Sequence, residues 1–415
     1  MNKTRVNIKT LLLFYVCFNM FTLFLYDFGP IRYNGQNSFM LHLLVFIYIV
    51  AFVLGALSYS GTLRDDYEII KKYNDERIMK LLNKCVFINF LLYLVFALNS
   101  NGCKSISAFL SRVINGINNP SSLYYDKILN NLSTNNSLSL ISYIIYPFMI
   151  YVLLASIYNI KKLKTISKIV VGLTVIIEML KWIGIGTNKG IFDLLILCIT
   201  IFFIYQIHKD TFREKDNKIK FKYKLLILLG FVSCFCLFNF FITSRLNETS
   251  SSFKDGLYNG YKHFSGYLSQ GYNGMNLSLS LDWDPTFGLG HSMFLVTQID
   301  KHFDTKIFEH TYQKRAEIYG WSSTVNWHTM YSWIANDFSY FGVIVIMFIL
   351  GRIMSWAIND FIYIHDYRSL VLFYFMIMMI FYSSANNQVL STVTSMIAFW
   401  YFLFSKIFIR RKRYE

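Results

Sequence analysis

The chain has 415 residues, of which 54% are hydrophobic and 19% aromatic, while only 15% are charged. A soluble domain carries about 25% charged residues; here the charges cluster and leave nearly uncharged windows of roughly 18 to 22 residues, the length that a ~30 Å hydrocarbon core asks of a helix. An ordinary soluble domain is therefore excluded. The net charge of +16 lies in short loops between apolar windows, so it reads as a topology signal and not as a nucleic-acid footprint.

In chain order, ten spans are expected, near 10–28, 38–59, 82–98, 138–159, 166–185, 190–207, 225–243, 339–356, 369–384 and 388–406. The fold class is then an all-α polytopic bundle, because backbone groups in lipid must be satisfied within the segment. The first window has a basic flank but no small-residue cleavage site, so it reads as a retained helix. An even number of spans puts both termini on one side. The basic stretches "MNKTRVNIK", "KKLK", "HKDTFREKDNKIKFKYK" and "RRKRYE" make that side cytoplasmic. Two long segments remain for the other side. Residues 99–137 are rich in Asn and Ser, and 244–338 is the largest loop. A loop of that length inside a compact protein is usually functional. The chain thus divides into 1–243, 244–338 and 339–415. The six cysteines show neither metal-ligand spacing nor a disulfide framework. There is no P-loop, dinucleotide fingerprint or internal repeat.

Four stretches could carry chemistry. "GIGTNKGIFDLL" (183–194) joins two expected spans through a tight glycine turn and sets Lys189 at the start of the second. Unpaired N–H groups and the helix dipole there favour an anion such as phosphate or pyrophosphate. The plainer reading is a lysine snorkelling to the surface. Lys189 and Asp193 have i,i+4 spacing, and Glu178 and Lys181 have i,i+3 spacing, so both can pair on a helix. Arg245 stands where the seventh span ends on the outer side. It could grip phosphate oxygens bidentately or simply touch headgroups. "TYQKRAEIYGWSSTVNWH" (311–328) sets Lys314 and Arg315 among aromatics, including Trp327, that could pack on sugar rings. In "HTMYSWIAND", His328 opens the next span and suits proton transfer near neutral pH. Tyr331 is a helical neighbour of His328 at i+3. Asp337 falls on another face, where anchoring a loop or a neighbouring helix is the alternative to a substrate contact.

Taken together, these stretches resemble the bacterial O-antigen and capsule oligosaccharide repeat-unit polymerases, and more distantly the O-antigen ligases. His328, Tyr331, Asp337 and Gly342 match the family's pattern after its long outer loop. Lys189 in "GTNKG" stands where arginine is commoner. Arg245 sits like the basic residue that opens the outer loop, and "GYLSQGYNGMNLSLSL" followed by "FGLGHSMF" is similar to the polymerase loop pattern. Thr329 replaces the asparagine usual in ligases and Ser339 the first glycine, departures that favour the polymerases. The resemblance implies a membrane glycosyltransferase architecture (GT-C-like) in the plasma membrane, with its site on the outer face. It implies undecaprenyl-pyrophosphate-linked glycans as donor and acceptor, a chain-length regulator protein as a further partner, and neither cofactor nor metal. His328, Arg245 and Lys189 would be catalytic. Tyr331, Arg315, Lys314, Thr329, Asp337 and Trp327 would bind substrate. A ligase that moves the chain to another acceptor, and a flippase for lipid-linked oligosaccharides, are the alternatives.

Overall fold

The computed structural model describes residues 6–59, 61, 67–119, 121–123, 136–187, 189–212 and 253–411. Among them the chain is helical and contains no strand. Helices α1 (Lys9–Phe28), α2 (Ser38–Ser58) and α3 (Tyr67–Ser100) come first. A short amphipathic helix, α4 (Ile106–Asn118), precedes α5 (Asn136–Tyr158), α6 (Thr165–Gly184) and α7 (Lys189–Phe212). The expected outer segment contributes α8 (Phe253–Ser278), α9 (Met293–Phe303) and several single turns. Helices α10 (Met330–Ile364), α11 (Tyr367–Tyr382) and α12 (Val393–Arg411) close the chain.

Among the described residues, α1, α2, α3, α5, α7 and α10 are long and apolar enough to cross a membrane. Helix α11 and the Val393–Phe408 part of α12 are apolar but shorter. Helix α6 coincides with an expected span, yet its 20 residues include Lys168, Glu178 and Lys181. The expected seventh span, 225–243, lies outside the described residues, as does Arg245. Helix α3 starts about four turns before its expected apolar window of 82–98. Those first turns carry Lys71, Lys72, Asp75, Glu76 and Arg77, so hydropathy alone hides them.

Among the described residues, helices α2 and α10 form the most extensive pair. Each presents a glycine to the other's backbone. A Cβ on Gly55 would collide with the Phe348 carbonyl, and one on Gly351 with the Phe52 carbonyl. Without hydrophobic drive between helices in lipid, such close backbone approach is what holds them. Side by side with this contact, the Tyr48 hydroxyl donates to the Tyr340 carbonyl at 2.7 Å.

Helix α10 is in fact two helices. Ser339, at φ 57° and ψ 169°, breaks it after Phe338. Tyr331 packs at a tilt against Tyr48 with ring centroids 4.8 Å apart, and Tyr48 also reaches Tyr340. In a straight helix, residues nine apart are separated by about 13 Å along the axis. The break lets one tyrosine of α2 touch both arms.

The far end of α10 is tied down by a separate polar network. Asp75 accepts from the Tyr367 hydroxyl at 3.0 Å and lies 2.7 Å from His365 Nδ1 and 3.5 Å from Lys162 Nζ. Lys406 pairs with Asp360 at 2.7 Å. This end joins α3, α5, α10, α11 and α12, opposite the end where α10 begins.

Candidate functional site

At the end where α10 begins, the bundle buries polar groups in several layers. The Met330 N–H donates to the Ser383 carbonyl at 2.9 Å, which ties the start of α10 to the end of α11. Asn19, mid-way along α1, accepts from the Tyr331 hydroxyl at 3.2 Å and from Ser383 Oγ at 3.3 Å. Thr22 and Tyr272 share a hydroxyl contact at 3.1 Å, bringing α8 onto α1. Glycine again permits the approach, since a Cβ on Gly271 would strike the Ser384 carbonyl. Polar residues inside apolar spans are expensive and face the interior. Asn19 and the "YSSANNQ" run (382–388) therefore carried a sequence signal for this layer that the expected site omits.

His328 sits directly before α10, and only 2% of its surface is exposed. Gly274 of α8 covers it. A Cβ at that position would lie 2.8 Å from His328 Nδ1, Trp321 Nε1 and the Trp327 carbonyl. Trp321 Nε1 donates to that carbonyl at 3.1 Å, and Tyr267 meets the Trp327 ring edge-on at 4.7 Å. Among the described residues, neither ring nitrogen of His328 has a hydrogen-bond partner. Burial without compensation holds the imidazole neutral, its pKa pushed down to about 3. An orphaned buried donor or acceptor costs about 1–3 kcal/mol, so this histidine destabilises the closed arrangement it occupies.

The residues expected beside His328 have other partners. Thr329 caps α10, its Oγ1 accepting from the Ser332 N–H at 3.2 Å. Tyr331 is fully buried on Tyr48 and Asn19. Asp337 holds the turn 286–291. Its Oδ1 accepts from Thr286 Oγ1 at 2.6 Å and from the Gly288 and Gly290 N–H groups at 2.9 Å each. Its Oδ2 accepts from the His291 N–H at 3.0 Å and lies 2.9 Å from His291 Nδ1. With its side chain fully shielded and both oxygens engaged, Asp337 acts as a loop anchor in this structure. His291, which links that turn to Asn387 through its carbonyl at 2.7 Å, was not among the expected residues.

Lys314 and Arg315 serve the segment between α8 and α10 itself. Lys314 pairs with Glu317 at 2.6 Å, and Glu317 also accepts from Ser323 Oγ at 2.6 Å. The lysine and the serine hold the Glu317 carboxyl down at about 2. Arg315 donates to the Asp282 carbonyl at 2.8 Å.

Lys189 opens α7 as expected and pairs with Asp193 at 2.6 Å, while Lys181 pairs with Glu178 at 2.5 Å. Both ammonium groups lean on Trp182, Lys181 at 4.8 Å and Lys189 at 5.1 Å from a ring centroid. The Trp182 indole donates to Glu178 at 2.9 Å. Two cations on one indole concentrate positive charge that cation–π attraction and the two carboxylates offset. Asp193 also accepts from the Tyr382 hydroxyl at 3.4 Å. Tyr382 is next to Ser383, so the α6–α7 turn and the start of α10 meet on either side of the end of α11. Lys189 and His328 therefore belong to one end of the bundle, although 139 positions separate them.

Among the described residues, no group of three or more His, Cys, Asp and Glu side chains is placed to hold a metal ion. Comparison with known proteins finds no family model, no curated protein and no solved structure that matches the chain.

Proposed function

We propose that the chain is a membrane glycosyltransferase that joins undecaprenyl-pyrophosphate-linked oligosaccharide repeat units at the outer face of a bacterial plasma membrane. The observation that supports it most is His328, a buried imidazole whose two nitrogens find no partner among the described residues, at the bundle end that carries Lys189. A purely structural side chain at that position gains nothing from being histidine. An acceptor sugar hydroxyl would supply the missing partner. Lys189, with Arg245, would hold the departing pyrophosphate and offset its negative charge as the glycosidic bond breaks. The donor phosphates would then compete with Asp193 for Lys189. His328 would accept the acceptor hydroxyl's proton once α8 and the Trp321–Trp327 pair move aside and water restores its basicity. The aromatics of the outer segment would carry the glycan, and a chain-length regulator would act on the same face.

The test is turnover of purified lipid-linked repeat units per mole of folded protein. His328→Ala should slow it by about 10²–10⁴-fold. His328→Gln should fail nearly as badly, because an amide cannot take the proton. Lys189→Arg should retain activity and Lys189→Ala should lose it. Undiminished turnover by His328→Ala would remove the proton-transfer role.

A further inference from the structure

Phe287 is the most exposed aromatic in the turn that Asp337 holds. Its surface is 87% exposed, and its φ is 53°, in the left-handed region that a bulky side chain rarely adopts. The turn is nonetheless hydrogen-bonded on both sides of the ring. Thr286 and Gly288, on either side of Phe287, both donate to Asp337 Oδ1, and the Thr286 N–H also reaches the Asn336 carbonyl at 3.2 Å. The ring is thus displayed by a pinned, strained backbone and is left largely exposed among the described residues.

What lies beside it indicates the missing partner. Asp337 is followed by Phe338, 47% exposed, and after the Ser339 break by Phe341, 74% exposed. Val345, Phe348 and Ile349 continue the same outward stripe at helical spacing, each exposed. That stripe belongs to α10, one of the helices long and apolar enough to cross a membrane. Phe287 lies on the turn bound to Asn336 and Asp337, next to the start of that stripe. Trp283, four residues earlier and half exposed, donates its indole N–H to the Asn336 carbonyl at 3.1 Å. An amphipathic ring with its polar edge satisfied by protein is the type that populates membrane interfaces.

We infer that the 283–290 turn is a lipid-embedded anchor, with Phe287 inserted among the acyl chains of the phospholipid leaflet that surrounds the outer end of α10. Asp337 pins the turn so that the ring stays in lipid, and hydrocarbon contact offsets the backbone strain. The outer segment is then docked on the bilayer along this edge, independently of the chemistry proposed above.

Photocrosslinking in native membrane vesicles tests this. Phe287→p-azidophenylalanine should yield a phospholipid adduct by mass, as should the same replacement at Phe341. The same replacement at Val325, also exposed but set among Ser322, Ser323 and Thr324, should yield none. A saccharide adduct at Phe287, a polyprenyl adduct, or only the water-quenched product would overturn the anchor. Should that variant fail to accumulate, Phe287→Cys decides. In lipid it should react with a membrane-impermeant maleimide at least tenfold more slowly than Val325→Cys, and equal rates would overturn the proposal. Loss of polymerase activity is not a readout in either arm, so the anchor and the enzymatic proposal fail separately.

Discussion

His328 is where chemistry and stability pull in opposite directions. Its pKa is depressed to about 3 by burial, against a free value near 6.5. The unfolded or opened chain therefore binds the proton more readily than the closed one. The stabilising effect of neutrality is complete above about pH 6.5 and declines as pH falls toward 3. At pH 5 the closed state should have lost roughly 2 kcal/mol, at 1.36 kcal/mol per unit. Thermal melting of the purified protein should show this decline between pH 7 and 5. His328→Leu should abolish that part of the pH dependence and leave the neutral-pH melting temperature unchanged or higher, because it removes two orphaned nitrogens. A marked loss of stability in His328→Leu at pH 7 would show that the imidazole has a structural partner. Residue identity and spacing pointed to His328 and its neighbours, but not to their contacts. Thr329, Tyr331 and Asp337 all turn toward the protein, because the cap, the Asn19 layer and the 286–291 turn compete for them.

At the scale of elements, the α6–α7 turn is the part best read from spacing. The pairs Glu178–Lys181 and Lys189–Asp193 both form, since i,i+3 and i,i+4 neighbours meet on any helix regardless of its surroundings. Trp182, which joins the two pairs, depends on where the turn folds back and was not visible in that way. The break in α10 is the converse case. The expected eighth span begins at 339, yet α10 begins at Met330 and is broken at Ser339, which adopts a conformation almost confined to glycine. Ser339→Gly should therefore stabilise the protein by about 1 kcal/mol while preserving the break, read as a shift in the denaturation midpoint in detergent. A lower midpoint would mean that the Ser339 side chain holds the break itself.

For the whole molecule, the contacts sort the loops into two ends. Lys162, Asp75 and His365 meet at one, and Lys189, Tyr382 and His328 lie toward the other. Reporter fusions at 163 and 365 should thus read alike, and a fusion at 305 should read opposite. By the positive-inside rule, the basic residues of "KKLK" predict a cytoplasmic reading for the first pair. A cytoplasmic reading at 305 would overturn the proposed outer-face glycosyl transfer, since the lipid-linked donor would face the other leaflet.

The sequence by itself determined the class of fold and the bounds of α1, α2, α5, α6 and α11, because a run of about 20 apolar residues can satisfy its backbone in lipid in essentially one way, whereas it missed the polar extensions of α3 and α10. It also determined the local ion pairs and the chain positions of the polar residues that enter the bundle. Only the tertiary structure decided which of those residues meet. The burial of His328 beneath Gly274, the capture of Asp337 by the 286–291 turn, and the approach of Lys189 to the α10 end through Tyr382 all depend on helices distant in sequence. Helical periodicity reports which side of a helix is apolar; it carries no record of the partner that will cover that side.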